Sequence, residues 1–392
     1  MPDGRPFLAY GRQDIDESDI AAVAEALRGD FLTTGPLVDR FEQAFAETVG
    51  ARHAVACSNG TTALHLAVAA LGVGPRDVCI VPSITFVATA NVCAMQGADV
   101  VFADVDPATG LMSEATLAEA LDRAGGRARA ILPVHLCGNA VDMDAVQAAA
   151  SRCGAAVIED ACHALGTDTP WGRTGDAARS DAVCFSFHPV KTLTTGEGGM
   201  VTTADARRAE HMRRLRSHGL VREGFDTSPG PWWYEQTELG FNYRLPDVLC
   251  ALGLSQLKRL PAFVARRRRL AARYRALLAP LASLVQPIAP APGTDPALHL
   301  FAVHVDFKTA GVTRAELMAR LREHGVGSQV HYIPVHRQPW WRERSPSPRL
   351  PGADAWYAST LSLPLYPAMA DDDPARVVEA LTAALGAEAL AA

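Results

Sequence analysis

The stretch DAVCFSFHPVKTLTTGEGGMVTT, residues 181–203, contains two short apolar runs, DAVCFSF and GMVTT, separated by a polar segment. Runs of this length and composition predict two buried strands. The polar segment places Lys191 just after the first strand and follows it with Thr and Gly. Because lysines are usually exposed, a surface loop is the ordinary interpretation of Lys191 taken alone.

Five more runs of the same kind precede this stretch, at residues 53–58, 77–83, 98–105, 129–136 and 155–161. The segments between them, such as TTALHLAVAALG and MDAVQAAASRCG, have the pattern of helices. Strands that are apolar almost throughout are buried on both faces, as they are when crossover helices cover a parallel sheet. The sequence therefore predicts an α/β fold with a seven-stranded, mostly parallel sheet.

The pattern changes after about residue 255. A long helix, broken or bent near Pro261, leads to a strand-like run at 298–306, a helix that ends near Gly325 and a second strand-like run, GSQVHY, at 327–332. These elements predict a small α+β domain. We expect a large domain with an N-terminal segment over residues 1–254 and a smaller domain over residues 255–392.

Composition excludes several classes of protein. The 392-residue chain has a net charge of -6, which argues against a general nucleic-acid binder. The basic run at 265–275 has helical spacing, so we interpret it as a solvated helix face and not as a phosphate-binding patch. The eight cysteines include no C-x-x-C pair, and no apolar segment has the length of a signal peptide or membrane span. We expect a soluble cytoplasmic protein with reduced thiols, no metal site and no membrane partner.

Polar groups follow three of the predicted strands. SNGTTALHLA at 58–67 resembles an anion site at a helix N-terminus, although an ordinary helix cap is an equal alternative. VIEDACHALG at 157–166 places Asp160 at a strand end and His163 three residues later. This carboxylate would serve equally well as a cap or in an ion pair.

The third group comprises Ser186, His188 and Lys191. In an open parallel sheet, ligands bind at the carboxyl ends of the strands, so we expect all three groups at one edge. A phosphate cradle, a buried carboxylate and a lysine fit pyridoxal 5'-phosphate. Asp160 would keep the pyridine nitrogen protonated, and Lys191 would form the Schiff base.

The same motifs, with ITFVATAN at 84–91 and ELGFNYRLPDVLCALGLSQL at 238–257, resemble the DegT/DnrJ/EryC1/StrS family of nucleotide-sugar aminotransferases from about residue 8 to the C-terminus. The resemblance implies fold type I, a homodimer with shared active sites and a ping-pong reaction through pyridoxamine 5'-phosphate. L-Glutamate would be the amino donor and a nucleotide-linked keto sugar the acceptor. Some relatives replace the lysine by histidine and dehydrate sugars, so Lys191 favours transamination.

The resemblance also implies roles for individual residues. Thr61, Thr62 and Ser186 would bind the cofactor phosphate, Phe86 would stack on its ring, His163 would bond the ring hydroxyl, and Asn242 would reach the phosphate of the neighbouring subunit. Relatives often have Gln at position 163 and Ala at position 62. We expect both contacts to survive, because His also forms the hydrogen bond and a backbone amide serves at position 62.

YGRQDIDESDI at 10–20, FLTTGP at 31–36, QVHYIPVHRQPWW at 329–341 and LSLPLYP at 361–367 most resemble family members that aminate C4 of a UDP-linked 4-keto-6-deoxy-N-acetylhexosamine on the route to pseudaminic acid. That product serves surface glycans or flagellin glycosylation. The candidate substrate residues are Tyr10, Thr33, His188, Arg244, His331, Tyr332 and His336. Arg244 is a candidate for the donor carboxylate, although it could equally hold the dimer interface. The alternatives are a dTDP- or GDP-keto-sugar aminotransferase, a lyase or aldolase of the same fold, and a regulator that binds the cofactor without catalysis.

Overall fold

The structure is a computed structural model that describes residues 6–222, 230–345 and 349–386. Two helices precede the sheet, α1 (Glu17–Arg28) and α2 (Pro36–Val49). The side chain of Asp16 accepts the N–H groups of Ser18 and Asp19, which is why α1 begins there. α2 has proline in its first turn and ends at Gly50 in the left-handed conformation.

The predicted seven-stranded sheet is confirmed. Nine strands follow α2: β1 (His53–Cys57), β2 (Val78–Pro82), β3 (Asp99–Ala103), β4 (Ala130–Ile131), β5 (Ala156–Asp160), β6 (Asp168–Thr169), β7 (Gly172–Arg173), β8 (Ala182–Ser186) and β9 (Gly199–Thr203). β6 and β7 form a separate hairpin, and the others form one sheet in the order β1-β9-β8-β5-β4-β2-β3. β9 is antiparallel to both of its neighbours, and every other pair in the sheet is parallel.

One of the predicted strands is much shorter than its sequence run. The run at 129–136 gives only the two residues of β4. Pro133 has no N–H group for the ladder, and the chain then makes a single 3-10 turn at Leu136–Gly138. The residues after β4 therefore leave the ladder and run past the end of β5. There, His135 donates its backbone N–H to the carbonyl of Asp160 at 3.0 Å.

Five helices complete the larger sheet region: α3 (Gly60–Ala70), α4 (Ala88–Met95), α5 (Glu114–Arg123), α6 (Met143–Cys153) and α7 (Ala206–Arg216). The central strands are apolar and fully buried, as Ile80, Ile131 and Ile158 show. Burial of both faces is what the near-continuous apolar runs predict. The carboxyl ends of β1, β2, β5 and β8 consequently lie at one edge.

The rest of the chain contains a two-stranded ribbon, a long helix and a three-stranded antiparallel sheet. Its elements are β10 (Leu220–Val221), β11 (Glu235–Gln236), α8 (Asp247–Leu278), β12 (Val285–Pro287), β13 (Phe301–Val305), α9 (Phe307–Ala310), α10 (Arg314–Glu323), α11 (Pro339–Arg344), α12 (Pro351–Ser359), β14 (Thr360–Leu363) and α13 (Asp373–Leu385). Single 3-10 turns occur at Ala279–Leu281 and Val335–Arg337. The run at 327–332 is not a strand, and only Gln329 forms an isolated bridge, with Ser362.

α8 is continuous through Pro261, so the predicted break is not found. The predicted boundary between residues 254 and 255 falls inside this helix, and the division into two domains stays a prediction. Within α8, the fully buried Arg267 donates to the carbonyls of His299 and Leu365 at 3.1 and 2.8 Å. Burial lowers the pKa of Arg267 to about 10. These bonds attach the three-stranded sheet to α8.

Among the described residues, the segment Asp247–Leu281 has the length and apolar content of a membrane span. Part of its apolar window is buried inside the protein. Residues of α8 such as Leu257, Leu270 and Tyr274 lie in the hydrophobic cores. A helix in a hydrophobic core also has this length and apolar content, and we interpret α8 as a core helix. All eight cysteines are free, and six of them are buried.

Candidate active site

A cavity of about 660 Å³ opens at the carboxyl edge of the large sheet. Its walls come from the ends of β1, β2, β5 and β8, from the N-terminal segment and from the segment that follows α10. Ten of the residues selected from the sequence line it: Tyr10, Thr61, Phe86, Asp160, His163, Ser186, His188, Lys191, His331 and Tyr332. The three polar groups predicted to meet at one edge therefore do meet there.

The N-terminus of α3 forms one end of the cavity. Asn59 accepts the N–H of Thr62 at 2.9 Å through its side chain, and the hydroxyl of Thr62 accepts the N–H of Asn59 at 3.0 Å. In the described part of the chain, the N–H groups of Gly60 and Thr61 have no protein acceptor. Free amides at a helix N-terminus attract anions. The expected contact from Thr62 is not available, because the cap already uses both its amide and its hydroxyl.

Gly60 lets this helix end approach β8 closely. A Cβ atom on Gly60 would lie 2.7 Å from the Cβ of Ser186 and 3.1 Å from its hydroxyl oxygen. Any larger residue would have to push α3 away from the strand. The absence of a side chain at Gly60 therefore allows the Ser186 hydroxyl to stand beside the free amides, in one cradle.

Asp160 ends β5 and is 6% exposed. One of its carboxylate oxygens accepts the hydroxyl of Thr89 at 2.6 Å, and the other accepts the N–H of Cys162 at 3.2 Å. Each of the two carboxylate oxygens of Asp160 therefore has a hydrogen-bond donor. A buried carboxylate with these partners is able to hold a cationic ring nitrogen in the cavity.

Lys191 follows β8 in a turn in which its backbone N–H donates to the carbonyl of His188 at 2.9 Å. Desolvation by the surrounding protein lowers the pKa of Lys191 from its ordinary value, and nearby Cys162, Asp160 and Cys137 partly oppose the shift. A lowered pKa increases the neutral fraction of the amine, which is the nucleophilic form. Lys191 is therefore placed and prepared for attack on a carbonyl group.

Neutral aromatic residues face the lysine. Burial lowers the pKa of His163 well below its ordinary value and lowers that of His331 to about 3, in both cases with a smaller contribution from Lys191. His331 bonds the Ser362 hydroxyl at 2.8 Å through Nδ1. Burial also raises the pKa of Tyr332 well above its ordinary value. Phe86 is 56% exposed, and its ring centroid lies 6.0 Å from that of Tyr332. A flat apolar face of this kind is suited to stacking.

Five selected residues do not line the cavity, namely Thr62, whose amide and hydroxyl serve the helix cap, and four others. His336 bonds the hydroxyl of Ser83 at 2.6 Å, which turns its ring toward the sheet. Thr33 is exposed on the loop before α2. Asn242 and Arg244 lie on either side of Tyr243, whose carbonyl accepts the Ser58 N–H at 2.9 Å. Asn242 itself is exposed, and it stands near the phosphate cradle without entering the cavity of its own chain.

The structure also adds residues that the sequence analysis did not select. Thr89 lies in the quoted motif ITFVATAN, but nothing in the sequence connects it with Asp160. His299 lines the cavity from the segment before β13, with its ring 4.5 Å from that of His163. Glu197 and Gln338 also line the cavity. Only Glu197 had a local signal, because it lies in the loop that follows Lys191.

The residues present fit pyridoxal 5'-phosphate. Gly60 and Thr61 offer unused amides beside the Ser186 hydroxyl for a phosphate, Asp160 offers a hydrogen-bonded carboxylate for the ring nitrogen, and Lys191 offers a desolvated amine for the carbonyl carbon. This donor set stands at the carboxyl edge of a mixed, mostly parallel sheet. The fold and the site together define a pyridoxal-phosphate-dependent enzyme of fold type I.

Comparison with known proteins gives the class of reaction. Residues 13–382 match the DegT/DnrJ/EryC1/StrS aminotransferase family, and the chain belongs to that family. It is therefore a sugar aminotransferase that depends on pyridoxal phosphate.

Three relatives cover nearly the whole chain. The chain is 41% identical over 380 residues to the spore coat polysaccharide biosynthesis protein SpsC of Bacillus subtilis (strain 168), with 96% of each protein covered. The structure is similar to that of Helicobacter pylori PseC, an aminotransferase involved in the biosynthesis of pseudaminic acid, with a TM-score of 0.89, 28% identity and coverage of 97% of this chain and 100% of that one. It is also similar to the PMP form of Spr1654 from Streptococcus pneumoniae, with a TM-score of 0.88, 25% identity and coverage of 98% and 100%. A PLP form of Spr1654 matches as well.

Proposed function

We propose that the enzyme transfers an amino group from L-glutamate to the C4 keto group of a UDP-linked 4-keto-6-deoxy-N-acetylhexosamine. The amine transfer is carried by one observation, the joint presence of Lys191 and Asp160 in a single cavity. The choice of sugar is supported by the likeness to PseC over 97% of the chain. The cavity is also open at the surface, which suits a sugar that remains attached to a bulky nucleotide.

The protein groups have separate tasks in this proposal. Pyridoxal phosphate would supply the electron sink that stabilises negative charge at the reacting carbon. The Nζ of Lys191 removes and returns the proton at the donor carbon and the sugar carbon, because it is a lysine of lowered pKa. Asp160 holds the ring nitrogen, the amides of Gly60 and Thr61 hold the phosphate, and Phe86 covers one face of the ring.

The sugar would occupy the side of the cavity opposite the phosphate cradle. His188, His331, Tyr332 and Tyr10 line the cavity, and all of them carry polar atoms that are able to contact hydroxyl groups. Because burial keeps His163 and His331 neutral, neither ring offers a positive charge to the substrate. We propose that Asn242 and Arg244 of a second subunit complete the site in a cytoplasmic homodimer.

The sugar assignment is tested by direct competition. Purified enzyme with L-glutamate receives equal concentrations of the UDP-4-keto-6-deoxy-N-acetylhexosamine and dTDP-4-keto-6-deoxyglucose, and mass spectrometry follows both amino sugars. We expect a higher kcat/KM for the UDP sugar. A higher kcat/KM for the dTDP sugar would reject the UDP assignment and leave the aminotransferase class intact. A GDP-linked 4-keto sugar serves as the third competitor.

A further inference from the structure

The hydrogen bonds of His163 determine which of its nitrogens carries the proton. The backbone N–H of Cys137 lies 3.3 Å from Nδ1 of His163. A backbone amide only donates, so Nδ1 must be the unprotonated nitrogen. Burial keeps the imidazole neutral, and its single proton is therefore on Nε2.

This proton has a defined acceptor. Nε2 of His163 lies 3.1 Å from the hydroxyl oxygen of Tyr332, and the two rings are stacked with centroids 6.0 Å apart. Nε2–H therefore donates to the Tyr332 oxygen. The hydroxyl proton of Tyr332 has no protein acceptor in the described part of the chain, and Tyr332 lines the cavity. Its O–H is thus available to a ligand.

The Cys137 amide reaches His163 because the backbone there adopts an unusual conformation. Cys137 has φ +59°, in the left-handed region that a residue with a side chain rarely adopts. The next residue, Gly138, has φ +92°, and a Cβ there would lie 2.8 Å from the N atom of Leu298 and 3.1 Å from the carbonyl oxygen of His163. Strained backbone of this kind persists only where its surroundings hold it.

The loop of residues 135–141 is held by a buried hydrogen-bonded pair, His135 and Glu159, on the face of the sheet opposite the cavity. Nδ1 of His135 accepts the N–H of Val141 at 3.1 Å, so its proton is on Nε2, which donates to Glu159 at 2.7 Å. His135 is 1% exposed and Glu159 is 7% exposed. Glu159 precedes Asp160 in β5, and successive strand residues point to opposite faces. The same strand therefore directs one carboxylate to the cavity and the other to the loop.

We propose that Glu159 and His135 are positioning residues for the reaction: through the 135–141 loop they hold the Cys137 N–H on Nδ1 of His163, and so keep His163 as the tautomer that donates from Nε2. This tautomer directs the hydroxyl proton of Tyr332 into the cavity. The inference depends on the cofactor-binding class of the enzyme but not on the identity of the sugar, so a failed sugar assignment would leave it standing.

The test is a measurement of histidine tautomers in the deuterated holoenzyme with ¹⁵N-labelled histidine. Long-range proton–nitrogen correlation spectra distinguish Nε2–H from Nδ1–H rings, and His163→Gln and His135→Gln assign the two signals. We expect Nε2–H at both positions in the wild-type protein. An Nδ1–H signal at His163 in the wild-type enzyme would overturn the proposal without any further variant.

Variants of Glu159 test whether the hydrogen bond between Glu159 and His135 determines the tautomer of His163. Glu159→Met removes the acceptor and should give His163 a mixture of tautomers, whereas Glu159→Gln keeps an acceptor oxygen and should restore the wild-type spectrum. We expect kcat to fall about 10-fold to 100-fold in Glu159→Met, with KM for glutamate changed less than about twofold. Glu42→Met is the matched control. Glu42 is a buried carboxylate paired with Arg213 and Arg216, so its loss should lower the melting temperature without altering His163.

Two outcomes would reject the proposal. A Glu159→Met protein that keeps His163 entirely as Nε2–H and retains wild-type kcat would reject a positioning role for Glu159. A mixture of tautomers in Glu42→Met as well would assign the effect to general destabilisation and reject the proposal. If Glu159→Met does not fold, His135→Gln takes its place, since it also breaks the bond to Glu159.

Discussion

Lys191 and Asp160 reach the same cavity from the ends of two neighbouring strands, and the surroundings prepare each for a different task. Desolvation lowers the pKa of Lys191 and increases the neutral fraction of its amine, whereas two hydrogen-bond donors orient the carboxylate of Asp160. From this distribution of polar partners we propose Lys191 as the nucleophile and Asp160 as the partner of the ring nitrogen.

The covalent role of the lysine predicts the result of its removal. In Lys191→Ala, borohydride reduction should no longer leave the cofactor covalently bound to the protein. The kcat should fall by about 10²–10⁴-fold or more, because both the nucleophile and the proton carrier are lost. Mass spectrometry of the reduced protein and steady-state kinetics measure the two effects. Lys308→Ala, on the exposed face of α9, is the control and should behave as wild type. Turnover retained in Lys191→Ala would refute the assignment.

The carboxylate gives a different prediction. Asp160→Asn preserves the size of the side chain and leaves the phosphate cradle intact, so the cofactor should still bind. Proton removal from the donor should slow by at least about 100-fold, since a neutral amide cannot stabilise a cationic ring nitrogen. Single-turnover kinetics with glutamate, at confirmed cofactor occupancy, measure this step. A near-normal rate would mean that Asp160 has only a structural role.

At the scale of single residues, the sequence predicts the reactive groups better than the residues that contact them. Lys191, Asp160 and Ser186 each follow an apolar run, so their place at the sheet edge could be predicted. Thr89 and His299 could not, because each meets its partner only after distant segments pack together. For Thr62, the anion site and the helix cap both require a hydroxyl side chain at the same position, and the hydrogen bonds show that its amide and hydroxyl serve the cap.

Among the secondary-structure elements, we propose α3 as the main contributor to cofactor binding. Its capping box satisfies the amide of Thr62 and leaves those of Gly60 and Thr61 unused, and its first turn lies against β8. The helix dipole, the amides and the Ser186 hydroxyl therefore converge on one point.

The close approach of α3 to β8 is tested by Gly60→Ala. The added Cβ would meet the Ser186 Cβ at 2.7 Å, so the helix end must shift and the cradle should widen. We expect the dissociation constant of pyridoxal phosphate to rise about tenfold or more, with kcat at saturating cofactor reduced less. Fluorescence titration of the apoenzyme measures the affinity. Gly74→Ala, where a Cβ would meet no atom within 4 Å, is the control, and equal affinities in both variants would contradict the predicted packing.

The elements of the large sheet were predictable because buried parallel strands carry an apolar signal of their own. All seven predicted strands are present, although β4 is shortened by Pro133. The run at 327–332 gave the same signal, yet its residues face the cavity instead of a ladder. His331 and Tyr332 line the cavity, and in the described part of the chain His331 contacts β14 through the Ser362 hydroxyl and not through a ladder.

At the scale of the whole molecule, the cavity combines segments that are far apart in sequence. Tyr10 comes from the N-terminal segment, Lys191 from the large sheet and His331 from the segment after α10. Asn242 is exposed next to the cradle, where a second subunit could receive it.

A shared site predicts complementation between inactive subunits. Lys191→Ala and Asn242→Ala should each be strongly impaired alone. An equimolar mixture of the two variants should regain up to about a quarter of the wild-type activity, because half of the dimers are mixed and one of their two sites is intact. Subunit exchange is verified by differently tagged chains. If exchange occurs and no activity returns, each site is built from one chain.

The most direct test of the central claim follows the amino nitrogen itself. The wild-type enzyme, loaded with pyridoxal phosphate, is incubated with ¹⁵N-labelled L-glutamate and the UDP-4-keto-6-deoxy-N-acetylhexosamine, and the sugar product is analysed by mass spectrometry and NMR. We predict one ¹⁵N atom at C4 of the sugar for each 2-oxoglutarate formed, and no labelled sugar with Lys191→Ala. A product without ¹⁵N, or equal labelling by the lysine variant, would contradict the account.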